Sequence, residues 1–338
     1  MSSPHSRPLP LRPLRLGTRG SPLALAQAGW IARQLLEQCG QPAVLVTATT
    51  PGDESTAPIE RLGTTGVFTT TLREALLHGA VDLVVHSGKD LPTSPVPGLR
   101  VAAFPAREDP RDALVWPDGA SLEALPPGAR IGTGSPRRAA LLRAIGPHLE
   151  IVPMRGNVDT RLRKLADGKV DALVLSMAGL ARLGLINAAV TPLDPSLFMP
   201  APAQGVLAVE CRTDDARTAA QLRALDHTPT RVAAMTERGF LAALGAGCST
   251  PVGALAEVPA VTGADAAVRL SGLIAASDGS SVVRAQMTSA VEGEELGRRL
   301  AQMLLEHGGA AMLGRTPSAD PGRPSDQPKR HSRADARS

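Results

Sequence analysis

One local device occurs twice in this chain, with matching surroundings, and it limits the fold more than any other feature. Gly17-Thr18-Arg19-Gly20-Ser21-Pro22 opens a helix, with Ser21 suited to the N-cap and Pro22 to the first helical position. Leu23, Ala26, Trp30, Ile31 and Leu35 follow at helical spacing, and Gly40 with Pro42 stops the run. The device recurs at Ile131-Gly132-Thr133-Gly134-Ser135-Pro136, whose helix runs through Ala139, Leu142 and Ile145. A second echo pairs Val81-Asp82-Leu83-Val84-Val85-His86-Ser87 with Val170-Asp171-Ala172-Leu173-Val174-Leu175-Ser176, each after a helix that ends in Gly79 or Gly168. Two copies of strand, helix and strand predict two similar α/β lobes. Continuous apolar strands between helices predict mostly parallel sheets covered on both faces.

The lobes join near Arg107-Glu108-Asp109-Pro110-Arg111-Asp112, a charged stretch with a proline. After Pro200-Ala201-Pro202-Ala203-Gln204-Gly205 the strand Val206–Cys211 is expected to return to the first lobe. Two crossovers define a cleft, and ligands of such sheets bind at the carboxyl ends of strands. From about Thr228 a third unit follows. It has a helix over Val232 to Leu244, alternating strands near 252–258, 267–275 and 280–287, and a helix to about His307. The expected architecture is α/β, with two similar lobes, a double crossover and a small C-terminal α+β domain. Its divisions are 14–110 plus 204–226 for the first lobe, 111–203 for the second and 227–315 for the C-terminal domain. Residues 1–13 and 316–338 read as disordered extensions, rich in proline or in Pro, Ser, Asp and Arg. No long apolar edge strand is evident, so a monomer is expected.

Charge and composition exclude several functions. The net charge is +4, but residues 1–13 and 316–338 each contribute +2, which leaves the body neutral. A nucleic-acid binder carries its excess charge on the fold, and aromatic content of 2% with no Tyr provides little surface for stacking bases. No apolar run approaches a membrane span, and the N-terminus lacks the apolar core of a secretory signal. Cys39, Cys211 and Cys248 are odd in number and widely spaced, which fits a reducing cytoplasm and gives no metal signature. There is no G-x-G-x-x-G, P-loop, HExxH or G-x-S-x-G motif.

Chemistry-bearing residues gather at element ends. Lys89 and Asp90 stand at the carboxyl end of the strand that finishes in His86-Ser87; capping and solvation account for them equally well by position alone. Arg19 lies in the first Gly-Ser-Pro turn, and Arg137 and Arg138 begin the helix of the second. Arg155 and Arg161 flank a third helix start. Arginine there opposes the helix dipole, and an anionic ligand spanning both lobes would explain the repetition. Cys248, in the loop Gly245-Ala246-Gly247-Cys248-Ser249-Thr250-Pro251, is either a small hydrophobe or a ligand anchor. His86, inside an apolar run, reads as a hydrogen-bonded core residue.

Taken in order, these segments closely resemble the hydroxymethylbilane synthase (porphobilinogen deaminase) family. They are Gly17 to Ala24, His86 to Pro92, Arg107 to Asp112, Gly132 to Arg138, Arg155 to Arg161, Gln204-Gly205 and Gly247-Cys248, and the resemblance runs from about Leu14 to Leu313. It implies three domains, the first two like the lobes of a periplasmic binding protein, and a transferase of tetrapyrrole biosynthesis that condenses four porphobilinogen molecules on a dipyrromethane cofactor held by a thioether to Cys248. Asp90 then matches the catalytic carboxylate. Lys89, Thr133, Ser135, Arg137, Arg138 and Arg161 match positions that bind the cofactor, and Arg19, Ser21, Arg155 and Gln204 positions that bind substrate. No metal is implied. The chain departs from the family at Gly63-Thr64-Thr65-Gly66-Val67-Phe68, where some members carry Lys in place of Thr65; Arg61 is a nearby cation. It departs also at Gly88, Gly134 and Pro136. The competing reading is a non-catalytic two-lobed module for a small anionic solute, which needs neither a cysteine loop nor a third domain.

Overall fold

A computed structural model describes residues 12–48, 69–117, 119, 121–247, 250–259, 267–290 and 293–314. The chain begins with β1 (Leu14–Arg19), α1 (Pro22–Cys39), β2 (Ala43–Ala48), α2 (Thr70–Leu77), β3 (Leu83–Ser87) and β4 (Leu99–Ala103). It continues through β5 (Asp112–Val115), β6 (Arg130–Thr133), α3 (Pro136–Ile145), β7 (Glu150–Pro153), α4 (Val158–Ala166), β8 (Ala172–Ser176), α5 (Met177–Arg182) and β9 (Val190–Pro192). It then crosses back through β10 (Leu207–Arg212) and α6 (Ala216–Leu222) to α7 (Thr228–Ala243), β11 (Val252–Glu257), β12 (Val268–Ala275), β13 (Val282–Ser289) and α8 (Glu294–Leu304).

The two large sheets share one plan. Their orders are β2-β1-β3-β10-β4 and β7-β6-β8-β5-β9. In each, the first three strands are parallel and the fourth is antiparallel to both its neighbours. Four of the five strands in each sheet thus run one way, in line with the expectation of mostly parallel sheets, and the fourth alone runs against them. The fourth strand arrives from the opposite lobe through a crossover, so it enters from the cleft end and must run backwards. An apolar run reports burial and carries no direction.

The repeat persists at atomic level. Arg15 donates from its backbone N (2.8 Å) and its Nη2 (2.7 Å) to Asp82, and Arg130 makes the same two bonds to Asp171 at 2.8 and 2.7 Å. Ser21 and Ser135 cap α1 and α3, accepting from Ala24 N and Arg138 N. The first sheet and α1 bury Leu16, Ile31, Leu35, Leu83 and Val209, and the second sheet buries Ile131, Leu141 and Val174 on one face and Leu173 on the other. At the edge of the first sheet β2 exposes Val44, Leu45 and Val46, so an apolar edge strand is present after all. Its sequence looks buried because β-branched residues serve both faces of a strand.

In the C-terminal part, α7 and α8 cover the antiparallel sheet β11-β12-β13. Leu296, Leu300 and Leu304 fall on one stripe of α8 and are fully buried. Side chains at Gly239 and Gly297 would strike the backbone of the facing helix, so these glycines set how closely the two helices approach. Leu273 and Ala275 of β12 join the core of the second lobe.

Candidate active site

The crossovers and strand ends meet around a short 3-10 turn, Gly88–Asp90, directly after β3. The turn lies flat on the returning crossover: Gly88 N donates to Val206 O, and a Cβ on Gly88 would sit 3.2 Å from Ala203 and Val206. This close approach accounts for glycine where the family has a bulkier residue. The crossover itself is bent, with Ala203 in the left-handed region at φ 58° and Gly205 at φ 84°. Both Lys89 and Asp90 are half-buried. Asp90 lines a small cavity with Arg19, Gln27, His86 and Ser87.

Lys89 points the other way, and its Nζ donates to Gln204 Oε1 at 3.2 Å. Gln204, only 1% exposed, spends its amide on Pro110 O (2.8 Å) and Asp112 Oδ1 (2.9 Å). Asp112 in turn receives Arg138 through Nε at 3.0 Å and Nη2 at 2.6 Å, and lies 2.7 Å from Arg137 Nη2. A polar chain thus links the first lobe, the second crossover and the start of α3. Burial and the neighbouring Arg138 and Arg137 push the Lys89 ammonium down to about 8 against the pull of Asp90 and Asp112.

Arg161 extends the cationic patch. Its Nε donates to Gly156 O at 2.8 Å, and its Nη2 lies 3.8 Å from where a Gly134 Cβ would stand. Such a Cβ would collide with Met154 O, which explains the glycine at this departure from the family pattern. Burial, then Arg138 and Arg155, lower Arg161 to about 10. Like charges perturb one another here because they share a poorly hydrated space. Arg137 Nε and Arg155 Nη1 are buried and find no hydrogen-bond partner among the described residues. Orphaned guanidinium nitrogens of this kind fit a ligand that brings carboxylates.

The remaining expected residues divide by position. Ser21 and Ser135 accept backbone N–H groups and keep a hydroxyl proton to donate. Thr133 is buried, and its Oγ1 accepts from Ser135 N at 3.2 Å, so it shapes the turn. Cys248, Thr65 and Arg61 lie outside the described residues. His86 is buried with Nε2 3.0 Å from Glu210 Oε2, and Arg73 grips the same carboxylate at 2.9 and 2.7 Å. Burial raises the Glu210 carboxyl, but Arg73 and His86 outweigh it and hold it at about 2.

Sequence reasoning missed Asp112 as a site residue because it stood inside a charged stretch that reads as a linker. It missed Arg182 too, which lines the inter-lobe space with Lys89 and Ser87 and donates to Gly205 O at 2.7 Å. The signal for Arg182 was its place one helix beyond Ser176, the counterpart of Ser87. Among the described residues no group of three or more His, Cys, Asp or Glu is placed to hold a metal, and no helix is long and apolar enough to cross a membrane.

Comparisons with known proteins agree on one family. Residues 14–220 match the profile described as porphobilinogen deaminase, dipyromethane cofactor binding domain, and residues 232–306 the porphobilinogen deaminase C-terminal domain. The chain is 50% identical over 315 residues to the porphobilinogen deaminase of Nocardia farcinica, covering 92% of this chain and 90% of that protein. It is 52% identical over 305 residues to that of Mycolicibacterium paratuberculosis, covering 89% and 96%. A methionine-binding protein, MetQ, overlays with a TM-score of 0.40 at 16% identity over 62% of this chain and 88% of its own; that score is too low to bear on the fold, which rests on the strand orders above. With matches of this extent along both the lobes and the C-terminal part, the chain belongs to the porphobilinogen deaminase family.

Proposed function

We infer that this chain is a hydroxymethylbilane synthase, a transferase that condenses four porphobilinogen molecules head to tail, loses ammonia at each step and releases the linear tetrapyrrole by hydrolysis. The observation that carries this reading is the cationic seat. Burial lowers Lys89 and Arg161; Arg138 and Arg137 add to this at Lys89, and Arg138 and Arg155 at Arg161, and two buried guanidinium nitrogens are left over. Each pyrrole ring brings an acetate and a propionate, so carboxylates accumulate as the chain grows and need such a seat.

A dipyrromethane joined by a thioether to Cys248 supplies, when bound, the free pyrrole α-carbon from which the product grows. Arg137, Arg138 and Arg161, with Lys89, Thr133 and Ser135, would hold its carboxylates. Arg19, Ser21, Arg155 and Gln204 orient the incoming ring, and Arg182 adds a cation at the inter-lobe face. Asp90 meets the pyrrole N–H of that ring. When the bond to the substrate's protonated amino group breaks, its electron pair leaves on nitrogen as ammonia and the ring becomes electron-poor. The Asp90 carboxylate stabilises that charge, and it passes on the proton lost from the α-carbon as the new C–C bond forms.

The division into 14–110 plus 204–226, 111–203 and 227–315 belongs to the same proposal, since it puts Asp90, the arginines and Cys248 on three bodies around one cleft. So does a cytoplasmic monomer; sedimentation that gave a dimer would overturn the latter, with the exposed edge of β2 as the first place to look.

Two experiments test the reading. Asp90→Ala should keep the fold, judged by circular dichroism and melting, and lose turnover by several orders of magnitude; a fully active variant would remove Asp90 from the mechanism. Intact mass should exceed the sequence mass by two linked pyrrole units and lose that excess in Cys248→Ser. A protein that gains no adduct even after porphobilinogen is added would sink the synthase reading and favour the anion-binding module.

A further inference from the structure

The start of β5 carries a carboxylate that the reaction itself does not require. Asp112 is fully buried (0% exposed), yet no hydrophobic or catalytic need places an acid there. Its Oδ1 accepts from Arg138 Nε and Nη2 and from Gln204 Nε2, and its Oδ2 lies 2.7 Å from Arg137 Nη2. The two arginines need it. They occupy the first turn of α3, where the helix dipole is positive, and they are 3% and 6% exposed. Two guanidiniums and the Lys89 ammonium packed this closely in poor solvent repel one another, and a buried cation without a counter-charge is costly. Burial pushes the Asp112 carboxyl up, but Arg137 and Arg138 outweigh it and hold it ionised at about 2.

One carboxylate does not balance the cluster. Each nitrogen of the Arg138 side chain has an acceptor: Nε and Nη2 go to Asp112 and Nη1 to Val174 O at 2.9 Å. Arg137 gives Nη1 to Met199 O and keeps Nε without a hydrogen-bond partner among the described residues. The Arg137–Arg138 pair therefore retains a net positive charge, and Arg137 Nε remains a buried donor without a hydrogen-bond partner among the described residues, after Asp112 has been counted.

We propose that Asp112 is a positioning residue, the resident counter-anion of the carboxylate seat. It fixes the forks of Arg137 and Arg138 before any ligand arrives, stands in for part of the ligand's charge, and leaves room for one further carboxylate. Through Gln204 it also ties this preset geometry to Lys89 across the cleft. The proposal deepens the synthase reading and rests on it for the identity of the ligand, but its own content is the exchange of one anion for another at these guanidiniums.

The test uses the full chain with Cys248→Ser, which removes the proposed cofactor anchor, and compares it with the same chain carrying Asp112→Asn. Each is melted in sodium chloride and in sodium acetate at equal ionic strength, acetate being the probe carboxylate. The expected result is a fall of several degrees in melting temperature for Asp112→Asn in chloride, recovered in acetate, with little acetate effect on the parent. A deficit that acetate and chloride leave equally large would mean Asp112 only braces the fold, and no deficit at all would also overturn the proposal. If Asp112→Asn does not fold, Asp112→Asn/Arg137→Gln, which removes one charge of each sign, should fold again; continued failure counts against it. The intact mass of the Cys248 parent is read separately, so a missing adduct indicts the synthase reading while the acetate comparison still judges Asp112.

Discussion

Lys89 shows how a single residue is tuned for function against stability. Its Nζ is hydrogen-bonded to Gln204, yet burial and two arginines lower its pKa from 10.5 to about 8. Between about pH 8 and 10.5 the unfolded chain therefore binds more protons than the folded one, and this group's contribution to stability rises with pH across that window. Below about 8 the buried ammonium is a standing cost, which on the proposed reading ligand carboxylates would offset. Lys89→Met should thus stabilise the protein at pH 7 by something on the order of 1–2 kcal/mol, discounted for the part of the side chain that still meets water. The same substitution should raise KM for porphobilinogen. In the parent, KM should climb as pH passes through about 8 and the ammonium is lost, whereas the variant should lack that climb. A urea titration and a KM–pH profile check both halves, and a variant that is destabilised and keeps the climb would contradict this account.

The helices that open the two lobes were legible in the sequence because their signals are local. Ser-Pro before a helical apolar stripe gives cap, first turn and burial at once, and Ser21 and Ser135 accept the backbone N–H groups that this pattern requires. Replacing either serine by Ala should cost about 1 kcal/mol in a urea titration, and the two losses should add because the caps sit in different lobes. Ser135→Ala should also lower the fraction of chains that acquire the proposed cofactor, since the capped N–H belongs to Arg138; intact-mass measurement of the loaded fraction reads this directly. What stayed hidden is non-local. The direction of β5 and β10 follows from crossovers that no window of residues reveals. Partners for buried acids stand far away in the chain: Arg73 is 137 residues from Glu210, and Arg107 is 130 from Glu237. A charged run such as Arg107 to Asp112 therefore reads as a solvated linker, although its last residue is fully buried and its first is tied to a buried acid. The arginines of the proposed seat could be picked out from their unfavourable place at helix starts. The acids that make them tolerable could not.

At the scale of the whole molecule the three parts meet on one carboxylate. Glu237 of α7 is fully buried and accepts Arg107 Nη1 at 2.6 Å and Nη2 at 3.1 Å from the first crossover. It also accepts Ala203 N from the second crossover at 2.5 Å and Ala256 N from β11 at 2.8 Å. Arg107 Nε meanwhile donates to Gln204 O, so the hinge that holds the carboxylate seat and the C-terminal domain share a fixed point. An exposed ion pair of this kind would be worth about 0–1 kcal/mol, but truncating one partner of a buried pair leaves an uncompensated charge and costs about 3–5 kcal/mol. Glu237→Ala should fall in the second class, because it strands the Arg107 guanidinium and two backbone N–H groups together. The loss should not be spread evenly. Both crossovers would be released from α7 while each sheet kept its own core, so calorimetry should resolve the single transition of the parent into two. Joint replacement, Arg107→Met with Glu237→Leu, removes both charges and should be less destabilising than Glu237→Ala alone. If Glu237→Ala instead melts as one unit with less than about 1 kcal/mol lost, the domains are coupled through the apolar contacts of β12 with the second lobe, and the carboxylate merely sits at their junction.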